Sequence, residues 1–189
     1  MSEFLIGVVT AALVGDWVLA RFSGDGNPDA LERLKRAAML GGMSVLVTLK
    51  TCGAAFILYY GVLSPLGLDA ARLPLCLFLA VGCAWMFGRL ARSGAGTFAA
   101  FAQAYWPLAA LNAVAFGAAS QGVGTGAGFV GNLLTAFAAS ALFALSLVML
   151  AAIWARTDVD ALPESVRGFP ALLLAAALIS MALTAFAGL

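Results

Sequence analysis

Four side chains are polar where their surroundings are not: Asp16, Lys50, Gln103 and Asn112. Asp16 follows Gly15 inside Phe4–Phe22, an almost unbroken apolar run of about nineteen residues, long enough to cross a bilayer core. A lone carboxylate in hydrocarbon costs at least ~2.5 kcal/mol. Asp16 is therefore either an ion or proton site, or a carboxylate reached by water or satisfied by a partner group. Lys50, in LVTLKTCG, poses the same problem with the opposite sign. A direct pair of the two is one reading. At ~1.5 Å per residue, however, Asp16 lies ~9 Å and Lys50 ~20 Å from the membrane boundary on the side of the basic loops. Straight antiparallel helices would leave the charges at different heights, a gap that a broken first span or a long lysine reach could partly close. The lysine is then expected at backbone carbonyls of a helix break or at an acidic group of another subunit. Gln103 and Asn112, with Asn132, have the chemistry of ion ligands, and equally of hydrogen-bonding glue between helices, the commoner use of amides in apolar helices.

Sulfur and imidazole chemistry are limited. There is no histidine, so neither an imidazole metal site nor histidine acid–base catalysis is available. Cys52, Cys76 and Cys83 all fall in apolar stretches, are odd in number and form no CxxC pattern, so no disulfide framework, zinc site or other metal site is indicated. Cys76 and Cys83 share a helical face but read as buried apolar fillers. No phosphate-binding glycine motif or Ser/His/Asp set is present. The pairs Gly122/Gly126 and Gly124/Gly128 have small-xxx-small spacing, but they fall at the edge of a loop.

The elements that position these residues follow from composition. Of 189 residues, 63% are hydrophobic and 10% charged, against about 25% charged in soluble domains. A soluble core of this size could not hide that much apolar surface, so the expected class is an all-α integral membrane protein in a lipid bilayer. A net charge of +1 argues against a nucleic-acid partner.

Six spans can be drawn: Phe4–Phe22, Ala37–Tyr60, Leu73–Leu90, Phe98–Ala119, Phe129–Trp154 and Phe169–Leu189. Asn27-Pro28 reads as the capped start of the second helix, with Asp29 and Glu32 near its N-terminus. Ser64–Gly67 with Asp69 forms the next turn. Ser93–Gly96 is a flexible joint, Gln121–Gly128 a glycine-rich loop, and Pro107 makes the fourth span prone to kinking.

The loops after spans one, three and five carry Arg21, Arg33, Lys35, Arg36, Arg89, Arg92, Arg156 and Arg167, whereas the opposite side carries only Arg72. This imbalance puts those loops in the cytoplasm and both termini outside, which in a bacterial inner membrane is the periplasm. Three spans, a joint and three further spans suggest two inverted repeats, about 1–93 and 94–189, within one membrane domain. Gly15-Asp16 and Pro107–Asn112 interrupt the first and fourth helices at corresponding places, near mid-membrane where such repeats build their sites.

Leu13-Val14, Trp17-Val18-Leu19 and Arg21-Phe22 with Gly24; Pro107-Leu108 with Asn112 and Gly117; and Ser146–Met149, Ala151–Ile153, Arg156, Pro163 and Arg167-Gly168 with the apolar tail form a pattern. The chain carrying it resembles the membrane subunits of the Rnf and Nqr ion-translocating oxidoreductases, closest to the RnfA/NqrE type. The resemblance implies a role in moving electrons across the membrane, coupled to Na⁺ or H⁺ movement. It implies a sister membrane subunit of the RnfE/NqrD type, related by pseudo-symmetry. It also implies a [2Fe–2S] cluster held by thiolates from both. Here the two matching cysteine positions are Gly26 and Ala113, which have no sulfur to donate. The cluster is thus expected to be absent or altered, with no cofactor bound by this chain alone and no catalytic residue in it. A second reading follows: a non-redox paralogue serving as an ion or small-solute carrier or as an assembly subunit.

Overall fold

The computed structural model describes residues 30–92, 94, 96, 97, 99, 100, 102, 106, 112–124, 126, 128–156, 163 and 169–187. Among the described residues there are helices and turns and no strand. Helix α1 (Ala30–Leu58) passes into a π-helical turn at Tyr59–Leu63 and a last helical turn at Ser64–Leu66. The chain reverses at Gly67, whose φ of 67° is the left-handed conformation that glycine adopts without steric cost. A 3₁₀ turn at Asp69–Ala71 then leads into α2 (Arg72–Ala91). Helix α3 is Ala113–Gly124, α4 is Phe129–Arg156 and α5 is Phe169–Ala187.

Three described segments are long and apolar enough to cross a membrane: Leu34–Leu66, Asp69–Ala91 and Phe129–Arg156. These match the second, third and fifth spans read from the sequence, and α5 matches the sixth. The first span, and with it Asp16, lies outside the described residues, as do Asn27-Pro28. Two boundaries differ from the sequence reading. Ser64-Pro65-Leu66 extends the second span rather than forming its turn. Gln121–Gly124 is the end of α3, not part of a loop. The second difference has a physical cause. Glycine weakens an isolated helix, but Gly122 lies against Asn132 at a distance that leaves no room for a methyl group, and Gly124 lies in close contact with Arg72.

Helix α1 is the centre of the packing, in contact with α2, α3 and α4, and its crossing with α4 is the most extensive. Lipid supplies no hydrophobic drive between helices, so close van der Waals fit and hydrogen bonds must hold them together. The fit comes from small residues. A Cβ on Gly41 would stand 2.8 Å from the Cβ and 3.1 Å from the Cα of Ala144 on α4. One buried cluster joins Leu40, Cys52 and Ala55 of α1, Cys76 of α2, Val114 and Ala118 of α3, and Ala136, Ala139 and Phe143 of α4. A second brings together Met43 and Val47 of α1, Ala84 of α2 and Ala102. Helix α5 attaches to α4 through Ala175, Ile179 and Leu150. All three cysteines are buried.

The crossing gives a paired test. Gly41→Ala should lower the stability of the detergent-solubilised protein by about 1–3 kcal/mol, the range for overpacking. Gly42→Ala, where nothing lies within 4 Å of the added carbon, should be neutral or slightly stabilising. Unfolding titrations monitored by circular dichroism measure both.

Candidate functional site

The fourth span is helical at residues 102 and 106, non-helical at Asn112 and helical again from Ala113. A helix beginning inside an apolar layer exposes N–H groups that water cannot reach, and each must find a partner within the protein. Asn112 supplies two. Its side-chain Oδ1 accepts the Val114 N–H at 2.9 Å, and its backbone carbonyl accepts the Ala115 N–H at 3.1 Å. This is N-capping by a residue type that favours the role. The other end of the same amide is also used: Asn112 Nδ2 donates to Ser44 Oγ of α1, in a buried hydrogen bond. One side chain thus starts α3 and ties it to the central helix.

Ser44 belongs to a row of buried hydroxyls on α1 with Thr48 and Thr51. Thr51 Oγ1 donates to the Val47 carbonyl at 2.8 Å, the local bonding by which hydroxyls in apolar helices satisfy themselves. Thr48 Oγ1, one turn beyond Ser44, is buried and has no hydrogen-bond partner among the described residues. A second amide clamp lies further along α1. Asn132 of α4 donates through Nδ2 to the Cys52 carbonyl at 3.2 Å, and its Oδ1 lies against Gly122 of α3, where a side chain would overlap it. Asn112 and Asn132 therefore act as interhelical glue, joining α1 to α3 and to α4.

Lys50 is exposed, with its Nζ 5.2 Å from the centroid of the Phe87 ring, a cation–π contact with α2. Phe87 is about one turn before the end of α2 at Ala91. Among the described residues it makes no ion pair: Glu32 pairs with Arg36, and Asp69 accepts a hydrogen bond from Tyr59 Oη at 2.7 Å. Of the candidates read from the sequence, Asp16, Gln103 and Gly26 lie outside the described residues. Asn112 and Lys50 are placed apart, the first facing Ser44 and the second facing Phe87. Ser44 and Thr48 join the polar set only in the structure. Their one signal in the sequence is a spacing of four among apolar residues, which puts both on one face of a helix.

The donor chemistry at residue 113 does not fit an iron–sulfur cluster. Ala113 is the first residue of α3 and carries no ligand atom, and the three thiols lie elsewhere, on α1 and α2. Among the described residues no group of three or more His, Cys, Asp or Glu side chains could hold a metal ion.

No family model matches the chain. It is 30% identical over 190 residues to the A subunit of the ion-translocating oxidoreductase complex of Syntrophotalea carbinolica, covering 100% of this chain and 98% of that one. It is 26% identical to the A subunit of the Na⁺-translocating ferredoxin:NAD⁺ oxidoreductase complex of Acetobacterium woodii, over 96% of this chain and 95% of the other. The A subunit of the ion-translocating oxidoreductase complex of Yersinia pseudotuberculosis is 29% identical over 100% of this chain and 98% of its own length.

The capping geometry yields a graded expectation. Asn112→Ala removes the cap and the tether to Ser44 and should destabilise by about 1–3 kcal/mol. Asn112→Ser, which keeps a capping oxygen, should recover part of that loss. Ser44→Ala leaves the amide donor unpaired and should cost about as much as any buried donor left unsatisfied, about 1–3 kcal/mol. Denaturation of the three variants in one detergent ranks them.

Proposed function

We infer the function from kinship: the chain belongs to the RnfA family, the A subunits of Rnf-type ion-translocating oxidoreductase complexes. It is a membrane subunit of an electron-transport ion translocase. The observation that carries this is the end-to-end relationship, 30% identity across 100% of the chain, together with apolar helices of membrane-crossing length.

The finer reading is a proposal. The chain forms six spans as two inverted repeats, about 1–93 and 94–189, in the bacterial inner membrane with both termini periplasmic. The run of basic residues on alternate loops supports it. A homologous sister membrane subunit of the RnfE/NqrD type completes the pseudo-symmetric pair. The coupled ion is Na⁺ or H⁺, and the polar groups available to it are Asp16, Lys50, Gln103 and Asn112. The break at Asn112 supports this assignment, because interrupted helices turn backbone polarity toward a cavity in the membrane. The [2Fe–2S] cluster of the wider family is absent or altered at this copy, a reading supported by the lack of sulfur at Gly26 and Ala113. That same chemistry favours a second reading, in which the chain is a non-redox paralogue that carries an ion or serves assembly.

Gentle extraction through a tag on this chain separates the readings. Flavin-bearing and sister subunits should co-purify, with less iron than a complex whose RnfA-type chain carries both cysteines. Isolation as a homodimer would favour the paralogue. Within the complex, Asp16→Asn and Lys50→Met should each lower redox-driven ion uptake about tenfold, equivalent to ~1.4 kcal/mol in the rate-limiting step. Unchanged uptake and assembly in both variants would remove these residues from the ion path.

A further inference from the structure

Arg72 is the first residue of α2, the end of a helix where a cation is disfavoured by the dipole. It is half-buried and makes no ion pair among the described residues; Asp69, three residues earlier, accepts a hydrogen bond from Tyr59. Its guanidinium lies instead against Gly124, the last residue of α3. A Cβ on that glycine would stand 3.0 Å from Nη1 and 3.5 Å from both Cζ and Nη2. There the dipole of α3 presents its negative end and its last carbonyls lack intrahelical donors. The charge thus sits at the wrong end of its own helix and the right end of its neighbour. Gly124 lets the planar group lie close, and a Cβ there would already be in tight contact with Nη1.

Helix α3 has 12 residues, roughly 18 Å of rise, and its other end is the capped start at Asn112 and Ala113. A short rigid helix held at one end transmits its axial position to the other. We propose that Arg72 is a positioning residue: by seating the C-terminal end of α3 it sets the height at which Asn112 meets Ser44. The structural part stands on this geometry; its consequence for ion movement rests on the family reading given under Proposed function.

The test uses the complex in native membrane vesicles with a buried reporter, Ala115→Cys, on the first turn of α3, and a second, Ala136→Cys, on α4. A membrane-permeant maleimide reads the accessibility of each. Arg72→Gln and Gly124→Val should each accelerate labelling at position 115 about threefold or more while leaving position 136 unchanged, and Arg72→Lys should fall between them and the parent. In transport assays without the reporters, Arg72→Gln should raise the half-saturating ion concentration about threefold or more with a smaller change in maximal rate. Unaltered labelling at 115 overturns the proposal, and so does equal acceleration at 115 and 136, which would mean general loosening. Shifted labelling at 115 alone, in vesicles whose parent complex moves no ions, upholds the positioning role and counts against the family reading instead.

Discussion

A helix that stops inside an apolar layer leaves backbone groups with no water to bond, and the protein must supply every partner itself. At residue 112 this chain meets that constraint with one residue. The Asn112 carbonyl oxygens accept two N–H groups of the new helix, and the amide nitrogen reaches the central helix at Ser44. The start of α3 is therefore also a structural junction. It fixes α3 against α1, and α1 in turn holds α2 and α4. Because the tether is a hydrogen bond and not a loose apolar contact, it specifies one register between α1 and α3.

The packing around the junction obeys a matching rule. At the crossing of α1 and α4, close approach is made by small residues, Gly41 and Ala144. Two glycines of α3 lie against polar side chains of other helices, Gly122 against Asn132 and Gly124 against Arg72. Larger residues occur in the same core where more space is available: Met43, Val47, Phe143 and Leu147 are all nearly inaccessible. Small-residue contacts bring backbones together, and the amides then determine which carbonyl or hydroxyl meets which donor. The apolar residues on the outer helix faces, such as Ile57, Phe78 and Leu134, are exposed to what a membrane would supply as lipid.

The helices were legible in the sequence because length and hydropathy alone decide that a run of twenty apolar residues is helical in lipid. The second, third, fifth and sixth spans end within a few residues of their helices, and the burial of all three cysteines follows from their apolar neighbourhoods. Asn112 was legible as a polar point in an apolar span, but its partner was not. Ser44 lies 68 residues away, and no local pattern encodes that contact. The same holds for Asn132 and the Cys52 carbonyl, 80 residues apart. The glycines after Gln121 misled for a related reason. Propensity marks glycine as a helix breaker, while tertiary contact makes it the residue that lets a helix be approached. The contact of Lys50 with the Phe87 ring was not legible either, because that partner lies on another helix.

The junction also separates two roles that residues 112 and 113 could have shared. If a metal held the break open, losing its ligand would leave the N-terminus of α3 unsatisfied, and the cheapest response would be a continuous helix. Here the residue that caps is Asn112, and the residue that lacks sulfur is its neighbour, Ala113. The capping bonds use only atoms of Asn112, Val114, Ala115 and Ser44, so none depends on the side chain at 113. The capped start of α3 therefore stands without a ligand at that position. The constraint on Asn112 is geometric and that on position 113 chemical, so the second can be relaxed while the first is kept. The start of α3 and its tether to α1 are accordingly independent of which side chain stands at position 113.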